Sequence, residues 1–134
     1  MGKTMLSIGT NVRSLLLSDE KVQELVSSKV FPLAAPEETE GAFITIKRDD
    51  YSFKYNKMGP YDETAGLIIS CFSNDYDESM EIAEAVLPIL KDLTINKTHI
   101  QIDNCTEDVV SYSESKTLWY AQSFSVSIPK LDRR

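Results

Sequence analysis

The chain has 134 residues, 42% of them hydrophobic and 26% charged, which fits one globular domain over residues 1–134 and excludes a disordered or fibrous chain. Its longest apolar runs fall far short of a membrane span, so no membrane is expected as a partner. A net charge of −7 disfavours gripping a phosphate backbone, and no sequence-specific nucleic acid is expected either.

At the start, Leu6, Ile8, Val12, Leu15 and Leu16 approximate a helical stripe over residues 5–17, with Thr4 or Ser7 as caps. Asn11 and Arg13 interrupt any signal-peptide core, so a soluble protein made in the cytosol is expected. Ser18 can cap a second short turn in which Val22, Leu25 and Val26 share a face. The segment "KVFPLAAPEETEG" reads as a short extended piece followed by an exposed loop. "AFITIKRDD" and "TAGLIISCFS" are strands, the second apolar on both faces and therefore central. Together they predict a long hairpin.

In "NDYDESMEIAEAVLPILKDL" the period changes to that of a helix, predicted over residues 76–91. Asp75 is its N-cap, and Glu78 completes a capping box. Pro88 lacks a backbone donor and clashes with the preceding turn, which predicts a kink or an early end. "THIQIDN" is a half-buried strand. In the closing strand "LWYAQSFSVSI", Leu118, Tyr120, Phe124, Val126 and Ile128 alternate with Ala121, Ser123, Ser125 and Ser127. A sheet covered by helices on one face and polar on the other produces that pattern. The expected fold is therefore α+β: a mainly antiparallel sheet of about four strands, two main helices on one face, and a long hairpin extension.

Little in the chain points to catalysis. His99 is the only histidine and fits a surface strand position; a site joining it to Cys71 and Cys105 lacks any supporting spacing. Both cysteines sit in strand-like segments and are expected to be buried free thiols. "MGKT" lacks the upstream glycine and loop of a phosphate-binding motif. The acidic group from Asp75 to Glu84 lacks the glycine and ligand period of a calcium loop and suits a helix N-terminus instead. Asp49 and Asp50 have no evident substrate beside them. No catalytic residue, metal site or cofactor is expected, and the chain is not expected to be an enzyme.

The residues that invite a functional reading are aromatic. Tyr51, Phe53 and Tyr55 recur at every second position, followed by Met58, Gly59-Pro60 and Tyr61. Ile44 and Ile46 are even-numbered and the aromatics odd-numbered, so an unbroken strand puts the row on the face opposite those isoleucines. A bulge at Arg48-Asp49-Asp50 would return the row to the core face, and a folded-over tip would bury it locally. The alternative is a projecting arm whose Tyr51, Phe53, Tyr55, Met58 and Tyr61 anchor another chain. A second candidate surface is the polar strand face of Gln101, Asp103, Ser123, Ser125 and Ser127, as a lumen or subunit contact.

Several segments together resemble a phage tail-completion family. "IGTNVRSLLLSDEKVQELVSSKVFPLAAPEETEGAFITIKR" is similar to its opening helix, "VFPL"-like piece, proline-containing loop and first strand. "LIISCFSNDYDESMEIAEAVLPIL" resembles its strand, turn and Ala-rich helix, and "TLWYAQSFSVSI" its closing strand. The likeness spans roughly residues 6–128, with Pro88 departing from the family's uninterrupted helix. It implies a structural protein related to tail terminators and head–tail joining proteins. Such proteins form rings, commonly hexamers, that meet the tail-tube protein and the head-connector protein. The resemblance thus implies a place in the virion tail, with host cytoplasm during assembly. It brings no catalytic residues. An acidic channel wall would repel passing DNA, in keeping with the charge. A non-viral protein–protein interaction module, or a small-molecule-binding domain with a closed pocket, are the other readings.

Overall fold

The computed structural model describes residues 8–36, 39–95, 98–111 and 118–129. Three helices, α1 (Ile8–Leu17), α2 (Glu20–Val26) and α3 (Tyr76–Asp92), accompany β1 (Val30–Pro32), β2 (Phe43–Asn56), β3 (Gly59–Ser73), β4 (Thr94–Ile95), β5 (Thr98–His99), β6 (Gln101–Ser111) and β7 (Leu118–Pro129). The main sheet has five strands in the order β1-β2-β3-β7-β6, and β4 and β5 form a separate pair. All neighbours in the main sheet are antiparallel except β1 and β2. The fold is α+β, with one more helix and one more sheet strand than the periodicities predict.

The helices cover one sheet face. Val30, Ile44, Ile46, Leu67, Ile69, Phe124 and Val126 rise from the strands to meet Ile8, Val12 and Leu16 of α1, Val22 and Val26 of α2, and Ile82, Val86 and Leu90 of α3. Ile100 is buried with them and Ile102 packs at the margin. On the helix-free face, Phe31, Phe43, Phe72 and Trp119 form an aromatic cluster at one end, with Phe43 and Phe72 stacked at 4.8 Å. Arg13 ties α1 to β1 by donating from Nε to the Val30 carbonyl at 2.5 Å.

Several local expectations change for identifiable reasons. Asp19, not Ser18, caps α2: its side chain accepts from the Val22 amide, while Ser18 Oγ donates back to the Leu15 carbonyl. Leu15 is exposed, unlike Leu16. Asp75 does cap α3, yet the box closes differently, because Glu78 accepts from buried Ser73 Oγ at 2.6 Å and the Asp75 amide donates to that same hydroxyl. The helix runs through Pro88 to Asp92. Pro88 and Glu84, whose carbonyl loses its partner, are both exposed, so water can satisfy that carbonyl. Residues 1–7, with the caps Thr4 and Ser7, lie outside the described residues, as does the His99 side chain.

Candidate functional site

The aromatic row is placed by a bulge. Arg48 pairs with Leu67 and Asp50 with Gly66, leaving Asp49 as the extra residue in β2. A Cβ at Gly66 would lie 2.7 Å from Asp49 Oδ1 and 3.6 Å from Asp50 Cβ, so both carboxylate side chains crowd over a residue that has none. The extra residue reverses parity beyond it. Tyr51 therefore pairs with Ala65 and lies on the helix face, the same face as Ile44 and Ile46. The opposite-face placement expected for an unbroken strand is corrected.

Sharing the core face does not bury the row. Among the described residues β7 accompanies β3 as far as Thr64 opposite Pro129, and β2 and β3 continue past it as a two-stranded arm. Tyr51 packs at the edge of the core and donates its hydroxyl to Glu63 Oε1 at 2.7 Å. Farther out, Phe53 is 42% exposed, Tyr55 67% and Met58 93%. Ring centroids lie 4.6 Å apart for Tyr51–Phe53 and 6.5 Å for Phe53–Tyr55. The arm turns at Lys57-Met58, where the Met58 amide donates to Asn56 Oδ1. Gly59 and Pro60 already belong to β3. Gly59 has φ +114°, a conformation a side chain disfavours. The Tyr61 side chain lies outside the described residues.

The polar side chains of β6 and β7 gather on the helix-free face. Ser127 Oγ donates to Asp103 Oδ2 at 2.5 Å, Gln101 pairs with Ser127, and Ser123 and Ser70 share a hydroxyl contact of 2.9 Å. Ser125 stands between them in β7. A further bulge, at Asp103, separates Ile102 from Asn104. It returns Cys105 to the helix face opposite Phe124. Cys71 is buried as expected; Cys105 is exposed, because β6 is the sheet edge and α3 packs mainly on β3 and β7.

What results is a cleft between α3 and β6 that no sequence pattern signals. Met80, Glu84, Leu87 and Cys105 contribute to its lining, and its volume is about 170 Å³. At one end the Glu107 carboxylate accepts from Tyr76 Oη at 3.0 Å and from Gln122 Nε2 at 3.1 Å. Its hydrogen bond and its charge hold the Tyr76 hydroxyl above the ordinary tyrosine pKa. Burial pushes the Cys71 thiol up as well. Among the described residues no three His, Cys, Asp or Glu side chains converge as a metal site.

These features define a small α+β protein with a one-sided helical layer, an open polar sheet face and an aromatic arm. The sequence matches no family model and no curated protein. Among solved structures, the fold is similar to a chain in the virion of a native gene transfer agent particle. The TM-score is 0.67 at 17% identity, and the alignment covers 92% of this chain and 93% of that one. At that identity the likeness is one of fold.

Proposed function

We propose that this chain is a structural subunit of a phage or prophage virion, without catalytic activity. Copies assemble as a ring, a hexamer in the tail, at the head-proximal end, where they meet the tail-tube protein and the head connector. The observation that carries the reading is the fold likeness to a virion chain over nearly the full length of both proteins. The similarity of the sequence segments to tail-completion proteins adds the place in the tail. The exposed Phe53, Tyr55 and Met58 support a role in contact, since aromatic and Met side chains are enriched in interface cores. Gln101, Asp103, Ser123, Ser125 and Ser127 offer a hydrated wall for a lumen or subunit contact.

Electron microscopy of the protein mixed with assembled tail tubes tests this. Rings seated at one tube end are expected. Tubes that remain bare at every protein concentration, or that are coated along their length, would overturn the terminal role.

A further inference from the structure

We propose that the hairpin arm of one copy inserts Tyr55 into the α3–β6 cleft of a second copy. This rests on the self-assembly just proposed and adds which surface receives the arm.

Size is the first argument. The cleft's volume of about 170 Å³ is below the roughly 300–1,000 Å³ of small-molecule sites. It is close to the ~150 Å³ that accommodates a single benzene ring in an apolar protein cavity. Met80, Leu87 and Cys105 supply apolar walls, and Met80 and Cys105 are exposed on the free chain. Tyr55, at 67% exposure, is a ring of the required size on the exposed part of the arm.

Charge is the second. Asp62 pairs opposite Lys54 in the arm, and beyond that pair its tip carries Lys57 and no acidic residue. The cleft is lined by Glu84 and bordered by Glu107, which holds its Gln122 wall. Opposite potentials orient such an encounter.

Topology is the third. The arm leaves the sheet beyond Thr64 opposite Pro129, whereas Tyr76 and Glu107 lie toward the opposite end, where Ser73 pairs with Tyr120. Joining two different patches in this way makes a head-to-tail contact, which closes into a ring when the rotation allows.

Cys105 reports occupancy directly, because Cys71 is buried. The reaction of Cys105 with a maleimide would be followed in the full chain as protein concentration rises, with light scattering on the same samples. Protection of at least tenfold in the multimer is expected. The variant F53S/Y55S should keep Cys105 reactive at every concentration. Adding unlabelled C105S, whose arm is intact, should then protect the thiol of F53S/Y55S. A multimer with fully reactive Cys105 would overturn this contact and leave self-assembly standing. A wild-type chain that stays monomeric at the highest concentration, with Cys105 unprotected, would overturn both.

Discussion

Cys71 and Cys105 differ in environment, and their chemistry should differ accordingly. Cys71 sits opposite Ile44 beneath the helical layer, while Cys105 lies on the edge strand. At low protein concentration, native protein should titrate one thiol with a colorimetric disulfide reagent, and two after unfolding; two fast native thiols would contradict the burial of Cys71. Burial also raises the Cys71 pKa from its ordinary 9.0, so the unfolded chain loses this proton first. The associated stability is fully present below about pH 9 and falls as pH rises, by up to about 1.4 kcal/mol per unit, until the folded-state value is reached. Denaturation midpoints from about pH 8 to about pH 10.5 should therefore decline more steeply in wild type than in Cys71→Ala. Equal slopes would remove the thiol as the cause. Leu90 tests packing rather than ionisation. It is fully buried between α3 and the sheet, and Leu90→Ala should cost about 2–5 kcal/mol through the cavity it leaves. The measurement is the urea midpoint at unchanged slope.

At the scale of elements, the arm divides into a rooted and a free part. Tyr51 touches the core and Glu63, whereas Phe53 and Tyr55 are exposed. Tyr51→Ser should lower the stability of the monomer by about 1–2 kcal/mol, given partial burial of a large apolar side chain. F53S/Y55S should leave the melting temperature nearly unchanged and weaken assembly, since anchors of this type often account for about 2 kcal/mol or more each. A collapsed fold in the double variant would show that the arm's rings help hold the monomer together. Amides of residues 52–62 should also exchange faster than those of β3 beside Ile69. The sequence makes part of this legible. Spacing by two identifies Tyr51, Phe53 and Tyr55 as one row, and the helical period of α3 and the alternation of β7 translate directly into buried faces. The face of the row is not legible, because it depends on Asp49 bulging over Gly66, a residue distant in the chain. β6 extends well past the predicted strand because "NCTEDVVS" lacks alternation: an edge strand with an uncovered helix-side face has no inside to encode. β1 reads only as an extended piece, since three residues acquire strand identity by pairing with β2. The cleft is invisible for the same reason, as Met80 and Cys105 meet only through tertiary packing.

For the whole molecule, assembly must overcome the repulsion between copies that each carry −7. Two electrostatic effects oppose one another. Lys54 and Lys57 near Glu84 and Glu107 would attract, but ion pairs at a wet rim typically contribute only about 0.2–1 kcal/mol. Repulsion between whole subunits acts over longer distances, because the screening length is about 30 Å at 0.01 M salt and about 8 Å at 0.15 M. The apolar contact of Phe53, Tyr55 and Met58 is insensitive to this range of salt. The long-range term should therefore dominate the salt response, while the lysines set orientation. Raising salt from about 10 to about 150 mM should increase the multimer fraction at fixed protein concentration. A closed ring adds a second requirement, since its copy number must stay constant as its population grows, whereas an open head-to-tail chain lengthens. Mass photometry across the salt series reads both quantities. A fraction that falls with salt would show that the lysine contacts outweigh subunit repulsion. A mass distribution that broadens with concentration would show that the head-to-tail contact does not close.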